Sequence, residues 1–506
     1  MVESRSIQSV LIVVVVTVVA AWLGVAVVTN QSETLLKVAG VLLLAISLLL
    51  GRRIWLLMIF FTALNLPLIR GFTSMQLGQG LFIGFCVLLF FVRRLKVRTT
   101  WGELEFWMIM VAACIAQAYV RNPVGLNIFG GASVGARPYF VTGLAFLAGW
   151  VMSILVVPPG EVKWAARLTI FGTFLGIPLV ELRTRAGLAT IGVESGGGRV
   201  AWLGSSSLCL LRWLVSRVSP LRSLVRPFAF LVLLAGVAAA AGSGYRNYVA
   251  AAGLTLAFGV YYHHGVGSTF VAVLVGICLI GVLAVLNLVA PLPGTMQRAL
   301  SPLPGTWEDR YVRDSERSTE WRLEMWEAAL FTDDWIKNKT LGDGLGMTRS
   351  ELQRMESLSE GGGDFAEGTS GLTIQQENMM ITGSYHSGPV QTIRTVGYVG
   401  LVVLMLAMIR LAVHMHRLVK LSRGTEWFPV VLFLVLPNLI LPIQFTFVFG
   451  EFDAACEFLF FGFGITRLMA NNLPLRRQAA SLAEAGPTPR GIVGRLPAVA
   501  VARATP

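Results

Sequence analysis

The 506-residue chain is short of charge, cysteine and histidine. Charged residues make up 14% of it, against about 25% in an ordinary soluble domain. That scarcity excludes a water-soluble globular protein. The five cysteines, Cys86, Cys114, Cys209, Cys278 and Cys456, all lie inside apolar runs and form no CxxC or Cys/His cluster, which excludes a disulfide framework and a zinc site. There is no P-loop or other nucleotide-binding motif, and no aspartate pair suited to a metal-dependent transferase. No compact basic domain with interleaved aromatics is present, so the net charge of +13 is not a nucleic-acid footprint. Neither cofactor nor metal is expected.

What fills the chain is apolar sequence: 55% hydrophobic residues and a mean hydropathy of +0.69. Many runs reach or approach the ~20 residues that cross a bilayer. The pattern predicts an all-α, polytopic transmembrane bundle of twelve to fourteen spans, from about 10–29 to 452–470, with a large helical loop outside the membrane. The first run reads as a retained helix because it is longer than a signal-peptide core. Four regions follow: N-terminal membrane helices over 1–290, the loop over 291–391, C-terminal membrane helices over 392–470, and a disordered tail over 471–506, rich in Ala, Pro and Arg.

Basic residues fix the orientation, since Lys and Arg gather on the cytoplasmic side. Arg52 and Arg53, Arg93 to Arg98, Lys163 and Arg167, Arg217 to Arg226, Arg417 to Arg423, and Arg476 and Arg477 all follow even-numbered spans. Both termini are therefore expected inside. The weakest span, 200–215, contains Arg212, and the charge alternation requires it. The loop 291–391 holds 16 acidic and 9 basic residues and falls outside, while the rest of the chain holds 12 acidic and 32 basic.

Within the loop, "ERSTEWRLEMWEAAL" (316–330) has helical spacing: Trp321, Met325 and Ala329 lie on one line, Arg322 and Trp326 on the next. "LGDGLG" (341–346) is a glycine-rich turn. "TRSE" (348–351) has the form of a capping box opening a short helix over 349–358. Residues 359–371 read as a mobile segment able to cover a site. Arg246 opens a helix in "AGSGYRNYVAAAGL", and His386 stands just before the next apolar run in "GSYHSGPVQTIRTVGYVG". Each has a plain alternative: a snorkelling arginine, a solvated helix arginine, a loop histidine. Topology brings Arg246, Arg322 and His386 to one membrane face, where two arginine forks and an imidazole suit an anionic headgroup. Arg121, Arg137, Arg183, Arg185 and Arg199 are further outward cations.

These segments together resemble the O-antigen ligase and O-antigen polymerase superfamily of bacterial membrane glycosyltransferases. "GSGYRNYVAAAGL" is similar to that family's Ser-Arg-x-Gly segment, at Arg246. "RLEMWEAA" resembles its R-x3-W-x2-A segment, at Arg322, Trp326 and Ala329. Gly342, Gly344 and Gly346 match its glycine turn, and His386, Gly397 and Gly400 its H-N-x-(long)-G-x-x-G segment. Ser387 stands where the family often has Asn, and Tyr245 where it often has Ser. The resemblance implies transfer of a glycan from a polyprenyl diphosphate carrier to a glycan, lipid or protein hydroxyl, on the outer face of the bacterial cytoplasmic membrane. It implies His386 as catalytic base, and Arg246 and Arg322 as catalytic cations holding the diphosphate. Arg183, Arg185, Arg199 and Trp326 are weaker candidates for binding diphosphate or glycan. The competing class is a transporter or lipid-linked glycan flippase, for which Glu451, Asp453 and Glu457 near the last span are the ionisable candidates.

Overall fold

The computed structural model describes residues 46–475 apart from 69–71, 100, 126–134, 186–199, 302, 304 and 361–371. Among the described residues every regular element is helical, and the backbone bridges at Pro67–Thr73 and Val97–Leu155 are isolated. The helices are α1 (Ile54–Leu64), α2 (Ser74–Phe91), α3 (Glu103–Arg121), α4 (Arg137–Ile154), α5 (Pro159–Arg185), α6 (Ala201–Arg217), α7 (Pro227–Gly242), α8 (Arg246–His264) and α9 (Val266–Val289). A single turn, Pro220–Ser223, lies between α6 and α7. Then come α10 (Gly294–Leu300), α11 (Asp309–Phe331), α12 (Arg349–Glu360), α13 (Ile374–Thr382), α14 (Gly388–Ser422), α15 (Phe428–Ile443) and α16 (Phe452–Asn472).

Six described helical stretches are long and apolar enough to cross a membrane: Ile46–Leu64, Ser74–Phe91, Glu103–Arg121, Val266–Val289, Gly388–Ser422 and Phe428–Val448. The others, α4 to α8 and α16, are shorter or carry more polar residues. Of the expected span 35–50 only residues 46–50 are described, and no loop separates them from the expected span 54–69. Gly51, with a left-handed φ of 50°, turns the chain within the 3-10 turn Gly51–Arg53, and α1 then ends at Leu64. The first expected span lies outside the described residues, as does the tail beyond 475. The helix predicted around 200–215 forms as α6, with Arg212 inside it.

Contacts sort the helix ends into two layers. At one end, Arg53 of α1 pairs with Glu161 of α5 at 3.0 Å. There too, Arg98 N donates to Ile154 O at 2.7 Å, Asn472 Nδ2 donates to Leu155 O at 2.9 Å, and Arg423 donates to Tyr262 O. The basic clusters among the described residues gather here. At the opposite end, Arg121, Tyr139 and Gln391 bond to the 338–345 turn or to Phe452, and the cap helices α11 to α13 sit. The main core runs between the layers, with Trp55, Phe82, Met108, Met152, Phe445 and Phe463 fully buried where the helices meet.

The cap forms as its caps dictate. Thr348 and Glu351 bond reciprocally, Thr348 N to Glu351 Oε2 at 2.7 Å and Glu351 N to Thr348 Oγ1 at 3.3 Å, opening α12. A second box, Thr373 with Gln376, opens α13, a helix not anticipated from the sequence. Met325 and Ala329 face inward as their spacing requires, joining Ile336, Met380, Tyr385, Val390 and Ile393 in a core that fastens the cap to α14.

Candidate functional site at the cap end

Five residues, 383–387, reverse the chain between α13 and α14, and they carry His386. Gly383 ends α13 in the left-handed conformation, φ 75°. Tyr385 then buries its ring completely. His386 itself adopts φ 52°, a region that a residue with a Cβ occupies at a cost of about 1–3 kcal/mol. Ser387 is the N-cap of α14 and Pro389 stands in its first turn. Gly388 allows the close approach that follows, since a Cβ there would lie 2.5 Å from Phe445 O.

Three rings hold the imidazole. Phe449, just after the π-helical turn Gln444–Val448, stacks on it at 5.6 Å, 30° between planes. Trp321 of α11 meets it edge-on at 6.2 Å. The Arg322 guanidinium lies 5.9 Å from the centroid of that same indole. The third ring, Trp326, acts through the backbone: its Nε1–H donates to Tyr385 O at 2.7 Å. Trp326, expected as a weak substrate contact, fixes through this bond the peptide immediately before His386. The Tyr385 phenol is pushed up to about 12 by burial, with Arg394 partly opposing, so it stays protonated and donates to Met380 O at 3.4 Å.

Arg322 and His386 are thus brought to one indole. Arg246 opens α8 at the same end, after the turn at Gly244, φ 74°. Its helix packs against the Gln444–Val448 turn whose next residue stacks on His386. Beside it, Asn247 keeps a buried Oδ1 with no hydrogen-bond donor among the described residues, and Asn378 of α13 does the same.

The glycine turn is a joint rather than a cradle. Gly342, Gly344 and Gly346 all have positive φ, at 80°, 97° and 79°. A Cβ on Gly342 would lie 2.4 Å from Val396 N, and one on Gly397 would lie 2.1 Å from Thr340 O. Asp343 N donates to Arg394 O at 2.6 Å and Gly344 N to Thr395 O at 3.0 Å, while Leu345 N donates to Tyr139 Oη at 2.7 Å. Those amides are spent inside the protein. Gly397, φ 73°, breaks α14 where this joint presses on it.

Arg121, expected as an outward cation, caps the turn by donating to Leu341 O at 2.7 Å and Gly342 O at 2.6 Å. Arg137 is buried, its guanidinium 4.7 Å from the centre of the Phe72 ring. Arg183 and Arg185 end α5 with side chains outside the described residues. Arg199 and the segment 361–371 lie outside them altogether.

Sequence reasoning missed Arg394. It is 7% exposed, its Nη1 donates to Gly344 O, and its Nη2 is 3.6 Å from Glu351 Oε1. It joins the glycine turn, α12 and α14 in one residue. The signal was present: a cation inside an apolar run is costly and marks a specific partner. Glu451, the N-cap of α16, has its carboxyl pushed up by burial.

Among the described residues no group of three or more His, Cys, Asp or Glu side chains could hold a metal ion. No protein-family model matches the sequence, and no curated protein matches it.

Proposed function

We propose that the chain is a polytopic membrane glycosyltransferase whose cap end is the active site, similar in kind to O-antigen ligases and polymerases. The observation that carries this reading is the placement of both Arg322 and His386 against one ring, that of Trp321, at 5.9 Å and 6.2 Å. On this reading the basic end faces the cytoplasm and the cap faces outward, as the positive-inside rule requires.

The reaction uses a lipid-linked glycan. His386 takes the proton of the acceptor hydroxyl as its oxygen forms a bond to the anomeric carbon. The bond from that carbon to the diphosphate oxygen breaks, and its electron pair leaves with the polyprenyl diphosphate. Arg322 and Arg246 offset the growing charge on that leaving group, a fixed-cation role that typically contributes several kcal/mol in a site shielded from water. Proton transfer of this kind contributes typically 10²–10⁴-fold. The left-handed His386 backbone, clamped by Trp326 and Gly388, fits a group held for chemistry rather than for packing. The donor-less amide oxygens of Asn247 and Asn378 suit sugar hydroxyls.

Transport is the competing class, and the acidic residues weigh against it. Glu451, Asp453 and Glu457 stand at or near the first turn of α16, at the cap end and away from the midplane where transporters set their ion sites. The test is transfer from a purified polyprenyl diphosphate glycan by the reconstituted protein. Release of polyprenyl diphosphate coupled to acceptor glycosylation supports the reading. Movement of intact donor across the bilayer without bond cleavage sinks it.

A further inference from the structure

The basic end carries a patch that the proposed chemistry does not use. The connector between α6 and α7 is two-faced. Ser219, Pro220 and Ser223 are buried, and Ser219 Oγ is 2.6 Å from His264 Nε2, which holds the connector to α8. Outward it presents Leu221, Leu224, Val225 and Phe228, exposed by 37%, 55%, 79% and 72%, with the exposed Arg222 and Arg226 set among them. Apolar groups interleaved with arginines on a rigid turn have the pattern of a segment lying in a headgroup layer. Above it, Arg217 lies over Trp213 at 5.1 Å.

Arg212 turns back from the patch into the helix bundle. It sits five residues before the end of α6, roughly 7.5 Å along the helix. Its guanidinium lies 5.5 Å from the Phe433 ring centre and its Nε donates to Leu208 O at 3.2 Å. It forms no ion pair among the described residues. The carboxylates described at this end are engaged elsewhere: Glu103 with Arg410 at 3.2 Å, Glu105 with Arg467, Glu161 with Arg53 at 3.0 Å, Glu426 with Lys163 at 2.6 Å. Among the described residues the patch therefore supplies three arginines, Arg217, Arg222 and Arg226, and no counter-charge, next to apolar side chains that require hydrocarbon.

We infer that residues 218–228, with Arg217, form a docking surface for the phosphate headgroups of anionic phospholipids. The arginine forks take phosphate oxygens and the exposed apolar residues lie along the acyl chains. This does not rest on the glycosyltransferase reading.

The test reconstitutes the full chain in equimolar phosphatidylglycerol and phosphatidylcholine, re-extracts it in detergent, and quantifies retained lipid by mass spectrometry. Wild type is expected to retain phosphatidylglycerol well above the bulk ratio. Each neutralised arginine near the surface is expected to lower that enrichment by about fivefold. Arg222→Gln with Arg226→Gln touches only exposed side chains, so an unchanged melting temperature is expected beside the lost lipid. Inorganic phosphate should displace no more lipid than sodium chloride at equal ionic strength. Retention at the bulk ratio by wild type, full retention by the double variant, or selective displacement by phosphate would each overturn the assignment.

Discussion

On the proposed reading Arg322, Arg246 and His386 do different work, and each can be tested by a change that keeps one property and removes another. Lysine keeps the charge of arginine but loses the planar two-pronged fork. Arg322→Lys and Arg246→Lys are expected to lower transfer by at least about tenfold with normal protein levels, measured on a lipid-linked donor. Near-wild-type rates in both would make them interfacial anchors. Glu451 gives a pH prediction. Its folded pKa is raised by burial, so the folded protein favours the neutral form. That stabilisation is present below the unfolded pKa and is lost as pH rises through the folded value. Glu451→Gln, neutral at every pH, is therefore expected to melt higher than wild type at pH 8 and the same at pH 4. An unchanged difference across that range in thermal unfolding would contradict it.

Elements hold the site through backbone contacts, which explains what could and could not be read from the sequence. The α11 face and the Thr348–Glu351 cap were legible because helical spacing and capping boxes are local signals. The role of "LGDGLG" was not. Its residue types fit a phosphate cradle as well as a joint, and only the approach of Gly342 and Gly344 to residues 394–396 separates the two. Arg394 and the Trp326 strut were hidden likewise, since their partners Gly344 and Tyr385 stand 50 and 59 residues away. Two variants probe this level. Gly397→Ala places a Cβ against Thr340 O at a left-handed φ, and is expected to cost about 2 kcal/mol or more in unfolding assays. Trp326→Phe removes one N–H and leaves Tyr385 O without it, a loss of about 1–3 kcal/mol. Transfer should fall more than thermal stability does, because the lost bond positions His386. Equal losses in both would make Trp326 a packing residue only.

At the scale of the whole molecule, the two layers of helix ends tie topology to chemistry. Every basic cluster among the described residues gathers at one end and the cap at the other, so a single orientation serves both. A cysteine placed at Thr332 in the cap is expected to react with a membrane-impermeant maleimide on intact cells, and one placed at Arg226 only after the membrane is opened. The reverse pattern would invert the account. The central claim is that the cap end performs base-assisted glycosyl transfer at His386. It is tested most directly by single-turnover transfer with donor bound, comparing wild type, His386→Ala and His386→Gln. An amide can orient an acceptor but cannot take its proton at neutral pH. The account predicts that both variants bind donor as wild type does and that both lose transfer by about 10²-fold or more. Substantial transfer by His386→Gln would contradict it and leave His386 a positioning residue.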